Sequence, residues 1–149
     1  HILHVYAINT TIQHPRLTTI PIGFVDRQLP FLETVQPSSR DRPYEVYVNF
    51  TAGTNTDKRN ACLAAIEKDP RVVVRTGLTV PKFVLCPEGT GMDTHRVYES
   101  LLCGATPVVL RNSLSHLYER LPVCIVESWT DIYSVPAPKP FPTSVGDYL

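Results

Sequence analysis

Between Tyr44 and Val126 two kinds of segment alternate, and this limits the fold more than any other feature of the chain. Short apolar, β-branched runs occur at Tyr44–Phe50 (YEVYVNF), Arg71–Arg75 (RVVVR), Lys82–Pro87 (KFVLCP), Thr106–Leu110 (TPVVL) and Pro122–Val126 (PVCIV). They read as strands. Helical patterns separate most of them. The first runs over about Lys58–Lys68, capped by Thr56 or Asp57, with Cys62, Leu63 and Ile66 as its apolar face and Pro70 as its stop. The second runs from a cap at Asp93 or Thr94 to about Cys103, with Val97, Tyr98, Leu101 and Leu102 as its buried stripe and Gly104 past its end. The third covers Ser113–Leu121. The strands are continuous apolar runs, which is how strands covered on both faces read. The expected fold is therefore α/β, a doubly wound parallel sheet.

One connection is short for that fold. Eight residues separate Val74 from Phe83, fewer than a parallel crossover with its own helix needs. Either Arg71–Arg75 is not a parallel neighbour of the next strand, or a segment is missing from the chain; the second is the expectation. Before the alternating region stand His1–Asn9, a strand or an approach to one, and Arg16–Phe24, a second apolar stretch. Asp26–Pro43 reads as a loop. After Val135, VPAPKPFPTSV is extended. The expected division is 1–20 as a lead-in from a largely absent N-terminal domain, 21–134 as the ligand-binding domain and 135–149 as a Pro-rich tail.

Composition narrows the partners. With 14 basic and 14 acidic residues the formal net charge is zero, so no basic face marks nucleic acid as a partner. No apolar run is long enough to span a bilayer. No signal peptide is visible, and the chain opens on His rather than Met, as a processed or excised piece would. The four cysteines form no CxxC pair and read as reduced thiols, which favours a cytoplasmic setting slightly.

The chemistry concentrates after KFVLCP. In open α/β sheets ligands sit at the carboxyl ends of strands, and this strand ends in Glu88-Gly89-Thr90-Gly91. Two glycines allow close backbone approach, and the next helix offers free N–H groups. That helix carries His95 and Arg96 in its first turn, where a cation opposes the helix dipole. A bound anion would resolve the conflict. At 3.6 residues per turn Arg96, Glu99 and Cys103 share a face away from the core stripe. Arg96 suits a phosphate, and Glu99, one turn on, suits a pair of ribose hydroxyls. Two other readings stay open: Arg96 and Glu99 as an i,i+3 pair on a solvated face, and His95, Glu99 and Asp93 as metal ligands. Arg59 reads as a surface residue near a helix start or as a further phosphate contact. Trp129 reads as packing.

The stretch KFVLCPEGTGMDTHRVYESLLCGATPVVL resembles the donor-binding half of GT-B glycosyltransferases, most closely the exostosin-like group. Its pattern F-x-L-x-P-x-G-x-G-x-D-x-x-R-x-x-E-x-L-x-x-G-x-x-P-V-V is met by Phe83, Leu85, Pro87, Gly89, Gly91, Asp93, Arg96, Glu99, Leu101, Gly104, Pro107, Val108 and Val109. LPVCIVESWTDI (Leu121–Ile132) is similar to that group's strand followed by Trp and Asp. The resemblance implies a Rossmann-like domain, one half of a GT-B architecture, taking a UDP- or GDP-linked sugar as donor and a glycan as acceptor. It implies Arg96 at the diphosphate and Glu99 at the ribose; the further expected contacts are Gly89, Thr90, Gly91 and Arg59 at the diphosphate, Glu88 and Asn55 at the ribose and nucleotide, and Asp93 and His95 as candidate sugar contacts. It implies no obligatory metal and no cofactor besides the nucleotide sugar. The catalytic base is expected in the other domain. A Golgi-type lumenal setting would fit such a family. The competing reading is a non-catalytic domain that holds a phosphorylated ligand or a protein partner; a sugar-nucleotide epimerase is a third.

Overall fold

The structure is a computed structural model that describes residues 2–25, 27, 30, 46–67, 69, 70, 72–74 and 81–135. The loop assigned to Asp26–Pro43 and the Pro-rich tail fall almost wholly outside these residues. Seven strands and two α-helices organise what is described. They are β1 (Val5–Ala7), β2 (Leu17–Thr19), β3 (Val46–Val48), α1 (Thr56–Ile66), β4 (Val72–Val74), β5 (Phe83–Leu85), α2 (His95–Leu102), β6 (Thr106–Leu110) and β7 (Cys124–Val126).

Five strands form one parallel sheet in the order β4-β3-β5-β6-β7. Successive side chains of a strand point to opposite faces, and here both faces are apolar. Val46, Val48, Phe83, Leu85, Val108 and Val126 face Cys62 and Ile66 of α1, with Trp129 and Ile132 from a 3₁₀ turn. Tyr47, Val84, Cys86 and Val109 face Val97 and Tyr98 of α2, with Tyr118. Double coverage explains why the strand sequences do not alternate, and each fully buried Val or Leu contributes about 1.5–3 kcal/mol. Trp129 packs in the first of these cores, 5% exposed.

The short connection has a geometric answer. β4 is not paired with β5; β3 lies between them. Crossing two strand spacings and running back the length of a three-residue strand spans roughly 10 Å in each direction. Eight extended residues reach roughly 27 Å. No helix and no missing segment is needed.

Pro107 occupies a central strand, where a missing N–H usually costs a ladder bond. The N–H of Thr106 bonds back toward β5, to the Lys82 carbonyl, so residue 107 turns the other way, toward β7. Pairing with β7 begins only at Val108, opposite Cys124. Pro107 therefore sits one residue before a donor would be used.

Local chemistry moves two helices from their expected bounds. Asn55, not Thr56 or Asp57, caps α1: its side chain accepts from the Lys58 N–H at 3.4 Å, and the helix starts two residues early. The helix expected over Ser113–Leu121 is a 3₁₀ turn at Ser115–Tyr118. Asn112 pulls the chain into that turn by accepting from the Leu114 N–H at 2.9 Å, while its own N–H donates to the Ser115 hydroxyl at 2.9 Å.

β1 and β2 form a separate two-stranded parallel sheet. Ile2, Leu3, Tyr6 and Ile12 on or beside it are well exposed. Among the described residues no helix is long and apolar enough to cross a membrane.

Candidate functional site

The strand order fixes where a ligand can bind. From β3 the chain runs through α1 to β4 on one side; from β5 it runs through α2 to β6 on the other. α1 covers one face of the sheet and α2 the opposite face. The order thus reverses between β3 and β5, and the crevice position beyond their carboxyl ends is the one that binds ligands in open α/β sheets. The loop after β3 carries Asn55 and leads to Arg59; the loop after β5 carries Glu88 to Thr94.

Each of the two sides carries an arginine. Arg59 Nε donates to the Glu88 carbonyl at 3.2 Å and Nη1 to the Thr51 carbonyl at 2.5 Å, so its guanidinium bridges the two loops. It also lies over the Phe50 ring, 5.6 Å from the centroid. Burial, and then the positive charge of Arg96, lower its pKa. Arg96 comes across from the first turn of α2, and among the described residues its guanidinium has no hydrogen-bond or ion-pair partner. Glu99 follows one turn later, half-buried, and its carboxylate accepts no hydrogen bond among the described residues. A cation whose charge acts on a second cation, on the same helix as an uncommitted carboxylate one turn on, makes a poor structural cluster and a good place for an anion.

The other expected contacts are used differently. Glu88 forms an ion pair with Lys58 and accepts from Asn112 Nδ2 at 3.1 Å. Asn55 Nδ2 donates to the Gly89 carbonyl at 3.1 Å. Both side chains tie the crevice walls together and are not open to a nucleotide. The glycines make room for protein, not for ligand. A Cβ at Gly91 would stand 2.4 Å from the Asn9 side chain, and one at Gly89 would stand 2.9 Å from Arg59 Nη2. The Gly89 N–H already donates to the Gly91 carbonyl at 3.0 Å. Of the residues expected at the diphosphate, Arg59 and Arg96 stand on the two sides of the crevice, Thr90 is exposed, and the Gly89 N–H is committed to the Gly91 carbonyl.

Asp93 gives the largest correction. Expected as a sugar contact, it is 1% exposed. Its carboxylate accepts from the hydroxyls of Tyr98 at 2.9 Å and Tyr118 at 2.8 Å and from the Ile22 N–H at 2.8 Å. Asn9 holds the backbone of the same residue from both sides, accepting from its N–H at 2.7 Å and donating to its carbonyl at 3.0 Å. Asp93 is thus the knot that fastens the N-terminal segment to α2 and the turn after β6. His95 joins that seam, its Nδ1 donating to the Gly23 carbonyl at 2.7 Å. Asp93, His95 and Glu99 do not meet as a ligand set; no group of three His, Cys, Asp or Glu side chains among the described residues is placed to hold a metal ion. The Thr94 hydroxyl, at the cap of α2, is buried without a partner among the described residues.

Several neutral acids are buried around this seam. All four cysteines are free thiols. Burial pushes Cys62 and Cys86 from an ordinary 9.0 up to about 12, the Cys86 thiol adding to the shift at Cys62 and nearby Arg96 and Ser100 restraining it at Cys86. Burial, then the Asp93 charge and its hydrogen bonds, raise the hydroxyls of Tyr98 and Tyr118. All four keep their protons in the folded state at pH values where the unfolded chain has lost them. Below about pH 9 neither state ionises and the shifts have no effect; above it stability falls with pH, continuing to about pH 12 for the thiols. The urea midpoint is expected to be level from neutral pH to about pH 9 and to drop steadily above it. A midpoint that stays level to about pH 11 would show these groups to be solvated.

Compared with models of protein families, the chain matches none, and no curated protein matches it.

Proposed function

We propose that this chain binds the nucleoside diphosphate of a nucleotide sugar across the crevice between β3 and β5, and so serves as the donor half of a glycosyltransferase. The carrying observation is that Arg59, from the helix after β3, and Arg96, from the helix after β5, stand on the two sides of the point where the strand order reverses, the charge of Arg96 acting on Arg59. In this reading the diphosphate lies between the two guanidinium groups at the start of α2, and the ribose hydroxyls reach Glu99 one turn further on. The sequence resemblance assigns the same roles to Arg96 and Glu99. In transfer, an acceptor hydroxyl oxygen bonds to the anomeric carbon as the bond from that carbon to the diphosphate breaks. The arginines stabilise the charge that leaves on the diphosphate.

The ribose assignment has its own test. Wild-type protein should bind UDP or GDP roughly tenfold more tightly than the matching 2′,3′-dideoxy diphosphate, as loss of hydrogen bonds to a charged acceptor implies. Glu99→Gln should shrink that preference while leaving thermal stability unchanged. Equal affinity for both sugars in the wild type would remove Glu99 from the ribose.

A further inference from the structure

A second site lies on the other flank of the 88–92 loop. A cavity of about 710 Å³ opens between the loop joining β1 to β2 and the turn after β6. None of the residues lining it is Asp, Glu, Lys or Arg. Such a wall offers no counter-charge to offset the desolvation of an ion, so the cavity suits a neutral ligand. Its polar groups are hydroxyls, an amide and two imidazoles, and Ile12, Leu17 and Leu114 supply apolar surface between them.

As neutral rings, the two histidines are held in opposite tautomers by their backbone contacts. A neutral imidazole has one donor nitrogen and one acceptor, and what one nitrogen does fixes the other. His14 Nδ1 accepts from the Arg16 N–H at 3.1 Å, which leaves the proton on Nε2. His116 Nδ1 donates to the Ser113 carbonyl at 3.1 Å, which leaves the lone pair on Nε2. Both exposed side chains line the cavity, and as neutral rings they offer one donor and one acceptor nitrogen. Hydroxyl groups satisfy both, since each can accept and donate. A molecule with hydroxyls on its edges and C–H groups on its face matches the rest of the wall.

We propose that this cavity binds a neutral carbohydrate, His14 Nε2–H donating to its hydroxyls and His116 Nε2 accepting from them. The site uses none of the residues of the nucleotide crevice and does not depend on that reading. The two adjoin, because Ser113, which lines the cavity, donates to Met92 Sδ at 3.5 Å in the loop after β5. The family resemblance puts the acceptor's partners largely in another domain; this cavity forms within the described part of this chain.

Histidine ring ¹⁵N spectra test the proposal, with lactose, cellobiose and xylobiose as probes. Free protein should show the Nε2–H form for His14 and the Nδ1–H form for His116. At least one of the disaccharides should shift both rings saturably. His14→Asn and His116→Asn keep a side-chain atom for the backbone contact but remove Nε2, and each should weaken that binding roughly fivefold, as loss of one hydrogen bond implies. Rings in other tautomers, rings unmoved by all three sugars, or binding unchanged in both variants would overturn the proposal. Adding UDP or GDP to separate samples reads the crevice through the Arg96 side-chain signals. Failure there leaves the sugar result standing, and the reverse holds as well.

Discussion

Replacing Asp93 by Ala lowers the free energy of unfolding by about 4 kcal/mol, the largest loss expected from any single substitution at the seam. The substitution strands two tyrosine hydroxyls and one backbone N–H that all point at the missing carboxylate. Each unsatisfied buried donor costs about 1–3 kcal/mol, and partial relaxation keeps the sum below the maximum. Urea denaturation measures the effect directly. Tyr98→Phe and Tyr118→Phe should each cost about 1–2 kcal/mol. Either one combined with Asp93→Ala should cost less than the two losses added, since the stranded hydroxyl is gone. The N-terminal segment depends on the same residue through Ile22 and Asn9, so Asp93→Ala should also open residues 2–22 to limited proteolysis before the sheet unfolds. A loss below about 1 kcal/mol would mean that water replaces the carboxylate and that the seam is wet.

Removing either arginine should cost diphosphate affinity, but the two losses should differ in what accompanies them. A charge-assisted hydrogen bond contributes about 1.5–3 kcal/mol, so Arg96→Ala and Arg59→Ala should each weaken nucleoside diphosphate binding by roughly 10- to 100-fold. The monophosphate should lose much less. The Arg96 guanidinium has no partner among the described residues and its charge acts unfavourably on Arg59, so Arg96→Ala should leave the unliganded protein as stable as the wild type or slightly more so. Arg59 holds the carbonyls of Thr51 and Glu88, so Arg59→Ala should destabilise the protein by about 1–2 kcal/mol as well. A residue that costs binding when removed and costs no stability belongs to a ligand.

The sheet was legible in the sequence because its cause is local. After a polar first residue, runs such as TPVVL and KFVLCP are apolar without alternation, as double coverage requires, and α1 and α2 do cover opposite faces. Arg96 and Glu99 were legible too, since helical phase alone puts them off the core stripe. What the sequence hid depends on contacts across long separations. Asn9 meets Asp93 over 84 residues, and nothing local tells a buried hub aspartate from one that touches sugar. The same contact fills the space beside Gly91, which in the sequence reads as room for a ligand. Asn55 and Glu88 are hydrogen-bonded to the crevice walls, a use that local sequence does not reveal. One signal was available for Asp93. Tyr98, four residues past the cap, falls on the buried stripe, and a buried tyrosine hydroxyl needs an acceptor nearby.

The most direct measurement of the central claim is a calorimetric titration of the protein with UDP, GDP, ADP and CMP, run beside Arg96→Ala. The account predicts that one diphosphate binds the wild type selectively, and that Arg96→Ala loses most of that affinity while melting at the wild-type temperature. Binding that is equally strong in Arg96→Ala, or no binding of any diphosphate to the wild type, would contradict it.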